Sequence, residues 1–140
     1  QALAKHLGRD VELVFMEKIR AKGVLTTGRL VGDVTGGTVV IVDDIIATGG
    51  TLAAAARACR EHGAVSVLAA ATHGLFVAPA SRVLAGDALD RVIVTDSVPP
   101  FRLDPDVVTR KIEVLPVAPL LAEAIMRLHN DGSLVELLAP

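Results

Sequence analysis

The stretch TVVIVDDIIATGGTL, residues 38–52, decides how the rest of the chain is read. Its first half is continuously apolar and β-branched, the pattern of a central parallel strand buried on both faces. Two acids, Asp43 and Asp44, stand at the carboxyl end of that strand. A short spacer and Thr48-Gly49-Gly50-Thr51 follow, directly before an Ala-rich segment. The spacing predicts a helix from Thr51 to His62, with Leu52, Ala55, Ala56 and Cys59 on one stripe and Gly63 as its stop.

The same alternation continues outward. VELVF (11–15), AVSVLAAAT (64–72), RVIVTD (91–96) and KIEVLPV (111–117) read as strands. QALAKHLG (1–8), VAPASRVLAG (77–86) and PLLAEAIMRLHN (119–130) read as helices, the last with Glu123 and Arg127 spaced for an i,i+4 pair. MEKIRAKGVLTTGRLVGDVTGG (16–37) reads as a loop with room for a short hairpin, SVPPFRLDPD (97–106) as a Pro-rich loop and GSLVELL (132–138) as a tail. Strands alternating with helices predict an α/β fold, a mainly parallel sheet flanked by helices, as a single domain over residues 1–140. Gln1 opens on what reads as a helix already under way, so a longer protein is expected, with this chain as one domain of it.

Composition narrows the class. Of 140 residues 51% are hydrophobic and 2% aromatic, so an aliphatic core is expected. The mean hydropathy of +0.53 without an apolar run of about 18 residues argues against a membrane span and for packing against another domain or subunit. A net charge of -2 without basic clusters argues against nucleic acid. One cysteine, Cys59, excludes an internal disulfide and a cysteine-based zinc site. A reducing, cytoplasmic setting is the default expectation.

The carboxyl edge of an open parallel sheet is where such folds bind ligands. Consecutive strand residues point to opposite faces, so Asp43 and Asp44 share a task only if the strand ends before them. Glycines let successive backbone N–H groups face one anion, and a helix N-terminus adds partial positive charge. Thr48 and Thr51 add hydroxyls. Phosphate at one end and carboxylates at the other suit a phosphorylated sugar, the acids accepting from ribose hydroxyls or holding a hydrated metal ion. TGGT alone fits a capped turn with two solvated acids equally well; the composite is far more specific.

That composite resembles the phosphoribosyl-diphosphate motif of type I phosphoribosyltransferases and of ribose-phosphate diphosphokinases (PRPP synthetases). The second family is the closer match. VGDVTGGTVVIVDD, ATHGLF, VIVTDSVP and LLAEAIMRLHNDGSL resemble that family's blocks in the same order, over what corresponds to its C-terminal half. The resemblance implies a type I phosphoribosyltransferase-like fold and transfer of pyrophosphate from ATP to ribose 5-phosphate, with Mg2+. It implies ribose-5-phosphate binding by Asp43, Asp44, Ala47, Thr48, Gly49, Gly50 and Thr51, with Asp43 and Asp44 also candidate metal ligands. It gives meaning to Lys18 and Arg20, which match the family's Lys-x-Arg pair at the start of a catalytic loop. Fixed cations there would stabilise charge on the transferring group; without the resemblance they read as two exposed loop charges. It implies an N-terminal domain of the same protein, carrying the ATP-binding half, and a homo-oligomer. The two other readings are a phosphoribosyltransferase that consumes PRPP and a non-catalytic, ligand-sensing subunit.

Two departures stand out. Ala47 occupies a position where many members carry an acid, which removes a third carboxylate and leaves its backbone N–H. In the tail, Val135 and Leu138 replace the Ser and Phe that help form the family's inhibitory site, so altered phosphate regulation is expected. Among other candidates, His73 ends a strand at the ligand edge, and Thr95 and Asp96 either shape the cleft or cap a turn. His6, His62 and His129 complement helix ends, Cys59 is a small core residue, and Asp104 and Asp106 are turn residues around Pro105.

Overall fold

The computed structural model describes residues 5, 11–21 and 24–138, with the backbone alone for 17–21, 24–29 and 138. The helix expected at 1–8 lies outside the described residues, Lys5 apart. Two compact units form, the larger from Val14 to Leu115. Its sheet is parallel and four-stranded, in the order β3 (Thr38–Ile46), β4 (Ser66–Gly74), β5 (Arg91–Thr95), β6 (Ile112–Leu115). β1 (Phe15–Ala21) and β2 (Val24–Val31) form a separate antiparallel hairpin. Three helices complete this unit: α1 (Gly50–Glu61), α2 (Ala80–Leu84) and α3 (Pro105–Lys111). The smaller unit carries α4 (Ala118–His129) and α5 (Leu134–Leu138). The expected α/β class, a parallel sheet flanked by helices, holds.

The sheet is built by small aliphatics in register. Thr38 pairs with Ser66 and the ladder runs to Ile46 opposite Gly74. Alternate residues Val67, Ala69 and Ala71 of β4 and Val92 and Val94 of β5 are buried, as the two-residue strand period requires. They share one core with Leu52, Ala56 and Cys59 of α1, Leu84 of α2 and Val107 of α3. Burial pushes the Cys59 thiol up from its ordinary value, as for a small core residue. No helix among the described residues is long and apolar enough to cross a membrane.

Several expectations are corrected. β3 is an edge strand of the described sheet, and Val42 is 75% exposed, so it is not buried on both faces. Of its apolar run, Val39 and Ile41 pack against the core, while Val40 and Val42 are exposed. Residues 11–14 are irregular and only Phe15 of VELVF is strand. The hairpin after it is long, continuing through LTTGRL, where threonines favour a ladder that a Gly-rich reading discounted. The helix at 77–86 is trimmed to α2, Ala80–Leu84. Asp104 is the N-cap of α3, with Pro105 in the first turn, where its missing N–H costs nothing. The tail contains α5. Arg127 donates to Glu123 at 2.8 Å, as the spacing predicts.

At the amino edge of the sheet, Arg60 of α1 bonds the Val65 and Ala88 carbonyls and pairs with Asp90. The second oxygen of Asp90 accepts the Ser66 hydroxyl at 2.7 Å and the Val67 N–H at 2.8 Å. Desolvation alone would push Asp90 up; the Ser66 and Val67 hydrogen bonds and the Arg60 guanidinium outweigh it and hold the carboxyl below its ordinary value. A depressed folded value adds stability above the unfolded carboxylate pKa, near 4, and that stability fades as pH falls through the folded value. Asp90→Asn is expected to cost about 1 kcal/mol at neutral pH, the pair being partly solvated. It should also shrink the stability difference between roughly pH 6 and pH 3. Urea unfolding at both pH values checks this; an unchanged difference would clear Asp90 of the acid dependence.

Candidate functional site

Parallel strands bring their carboxyl ends to one edge, and the expected site residues collect there. β3 runs on to Ile46, beyond both acids. Asp43 therefore shares the face of its partner Ala71, and Asp44 the opposite face. Both are exposed, and Asp43 Oδ1 accepts the N–H of Asp44 at 2.9 Å. The two carboxylates do not converge on one point. Among the described residues no three His, Cys, Asp or Glu side chains form a metal-sized group.

Ala47 and Thr48 leave the strand, and Gly49 caps α1 in the left-handed region at φ 74°. A side chain is disfavoured there twice over: the backbone resists it, and a Cβ would crowd Leu84 Cδ2 at 3.2 Å. The first helical bond runs from the Ala53 N–H to the Gly49 carbonyl, at 2.8 Å. The N–H groups of Gly50, Thr51 and Leu52 have no intrahelical acceptor, as in any first turn. No side chain caps them, and the Gly50 N–H reaches only Thr48 Oγ1, at 3.4 Å. No acid occupies the first turn. The result is a set of N–H donors without a helical acceptor, with the positive end of a 12-residue helix behind them.

Behind the loop lies the turn that ends β4. The N–H groups of Leu75 and Phe76 donate to the Ile46 carbonyl at 3.0 and 3.2 Å, and that of Val77 to the Ala47 carbonyl at 3.0 Å. Next to it, His73 Nδ1 lies 2.8 Å from Ser97 Oγ, and the Thr95 hydroxyl donates to the Thr72 carbonyl at 2.7 Å. His73 thus has a fixed partner, and Thr95 ties β5 to β4. Ser97 and the 74–77 turn escaped the sequence reading. In ATHGLF the one local signal is Gly74, a residue type that marks turns and close backbone approaches without saying what approaches. His62 caps the carboxyl end of α1 with Nδ1 2.8 Å from the Ala58 carbonyl, a local role.

Lys18 and Arg20 stand two residues apart in β1, opposite Thr27 and Leu25. Their backbone is strand, not open loop, and their side chains lie outside the described part of the structure.

Fold and site define a class: an α/β domain whose first parallel strand delivers two acids and a helix N-terminus without a side-chain cap to one edge. The chain belongs to the phosphoribosyl synthetase-associated domain family, whose profile matches residues 9–139. A ribose-phosphate pyrophosphokinase of Pasteurella multocida is 43% identical over 136 residues, covering 96% of this chain and 42% of that protein. One from Parasynechococcus marenigrum is 40% identical over 135 residues, 95% of this chain and 40% of its own length. The crystal structure of phosphoribosylpyrophosphate synthetase from Mycobacterium smegmatis matches with a TM-score of 0.76 at 39% identity, over 94% of this chain and 41% of that one. The chain thus spans about two fifths of the length of these relatives.

Gly49→Ala is expected to destabilise the fold by about 1–2 kcal/mol, the cost of forcing an L-residue into the left-handed region. Chemical denaturation measures it; an unaltered midpoint would show that the loop relaxes into another conformation.

Proposed function

We propose that the protein containing this chain is a ribose-phosphate pyrophosphokinase and that this chain carries its ribose-5-phosphate half. The supporting observation is the uncapped, acid-free N-terminus of α1 one short loop after Asp43 and Asp44, within a chain that matches proteins of that name over nearly its whole length. In this reading the backbone N–H groups of Ala47 to Thr51 and the hydroxyls of Thr48 and Thr51 receive the 5-phosphate. Asp43 and Asp44, from opposite faces of one strand, accept from different ribose hydroxyls.

The reaction joins the 1-hydroxyl oxygen of ribose 5-phosphate to the β-phosphorus of ATP. The bond from that phosphorus to the α–β bridging oxygen breaks, AMP leaves, and the hydroxyl proton is lost. Charge spreads over the oxygens of the transferring group, and Lys18 and Arg20 are assigned to stabilise it. Mg2+ takes one or two carboxylates and completes its shell with water and substrate phosphates. Two separated acids fit that demand, with Asp43 or Asp44 meeting a hydrated ion; when bound, the ion neutralises phosphate charge. An N-terminal domain of the same protein supplies the ATP-binding half, and the whole works in the cytoplasm as a homo-oligomer. The exposed Leu120, Leu121, Ile125 and Met126 of α4 support the oligomer.

The full-length protein given ATP and ribose 5-phosphate should release AMP. Release of pyrophosphate from PRPP and a base, with no AMP from ATP, would make it a phosphoribosyltransferase instead. Lys18→Ala should lower turnover by about a hundredfold, the scale of one lost charge-stabilising donor, with little change in ribose-5-phosphate affinity. Unchanged turnover removes Lys18 from its role. Asp43→Asn should weaken ribose-5-phosphate binding roughly tenfold, since a charged hydrogen-bond acceptor is lost; calorimetric titration giving equal affinity contradicts this.

A further inference from the structure

The loop's amides are aimed by a turn that does not belong to it. A peptide unit is planar and trans, so its C=O and N–H point in opposite directions. The Ile46 carbonyl faces the N–H groups of Leu75 and Phe76, which turns the Ala47 N–H away from them. The Ala47 carbonyl faces the Val77 N–H, which turns the Thr48 N–H away likewise. Two donors at the entry to the loop are thus directed by three bonds from residues 75–77.

That turn is itself over-determined. Phe76 is 1% exposed and sits at φ 47°, a left-handed conformation that a bulky residue holds only when its surroundings enforce it. Its ring lies against Gly74: a Cβ there would fall 2.3 Å from Cε2 and 2.6 Å from Cζ. Arg102, from the Pro-rich loop, donates to the Leu75 carbonyl at 3.2 Å. The ring therefore fills the space that any side chain at position 74 would need, and displacing it displaces the N–H of Phe76 and its neighbours.

Building on the ribose-5-phosphate reading above, we propose that Gly74 and Phe76 are positioning residues for the sugar-phosphate loop. Their ring-on-glycine contact sets the direction of the Ala47 and Thr48 amides that receive phosphate oxygen. Neither residue touches substrate; both act through the carbonyls of Ile46 and Ala47.

The test uses the full-length protein, with ribose 5-phosphate titrated by calorimetry and the KM for ATP measured alongside. Gly74→Ala should weaken ribose-5-phosphate binding about tenfold, since a displacement near 1 Å is enough to spoil such geometry, and leave the ATP KM within about twofold. Adding Phe76→Leu, which removes the ring atoms the new Cβ meets, should restore most of the affinity. Val92→Ala, a core truncation away from the loop, should lower the melting temperature without altering affinity. If Gly74→Ala does not fold, Phe76→Leu alone, which adds no atoms, carries the same expectation of weakened sugar binding. Unchanged affinity in the folded turn variants, or an equal loss in Val92→Ala, overturns the proposal. A parent protein that binds no ribose 5-phosphate overturns the functional reading itself, and the positioning role falls with it.

Discussion

Everything at the candidate site hangs on the register between β3 and β4. Thr38 opposite Ser66 and Ile46 opposite Gly74 are the two ends of one parallel ladder. A slip by one residue would exchange the faces of every side chain on β3. Asp43 and Asp44 would trade places, and Ile46, buried at 2% exposure, would turn outward. The Ile46 and Ala47 carbonyls would also lose the N–H groups of residues 75–77. Register is secured by packing, where Val39, Ile41 and Ile46 meet the same core as Val67 and Ala69. The site is therefore specified by aliphatic burial several residues away from any chemistry.

In the proposed reading, the chain builds from that ladder an anion receptor with little side-chain chemistry. The donors are backbone N–H groups, freed because a helix begins, and the glycine cap at position 49 is packed against Leu84. Preorganised dipoles of this kind need no rearrangement when charge arrives. Their weakness is that no rotamer can correct their aim. Direction has to come from the carbonyl side of the same peptides, which is where the turn after β4 acts.

Much of this was legible in the sequence, and the failures share a cause. The strand, the glycine turn and the helix at residues 38–62 are local in origin: β-branching, left-handed glycine and apolar periodicity each act within a few residues. The α4 ion pair is equally local. What local signals miss is where a neighbour sits. The run TVVIV carries no mark separating an edge strand from a central one, since which strands flank it among the described residues is a fact of topology. VELVF has strand-like residues but forms ladder only at Phe15, because pairing is decided by the hairpin downstream. Asp104 and Pro105 signal α3, but the same pair also suits a tight turn, so the local pattern alone does not separate the two. Gly74 and Phe76 were visible as letters; that a ring lies where a Cβ would go becomes apparent only in three dimensions.

The same reasoning accounts for Ala47. Its carbonyl is engaged by the Val77 N–H and its own N–H points the other way, so its contribution to the loop is made by the main chain. A carboxylate at this exposed position would add a third negative charge beside Asp43 and Asp44. Like charges near one another repel, and a bound phosphate would feel that repulsion. Alanine removes the charge and keeps the backbone donor. In the proposed reading, the departure from the acid-bearing motif would touch the sugar and metal end of the site and leave the phosphate end intact. The two ends are separable because one is made of side chains on a strand and the other of peptides at a helix terminus.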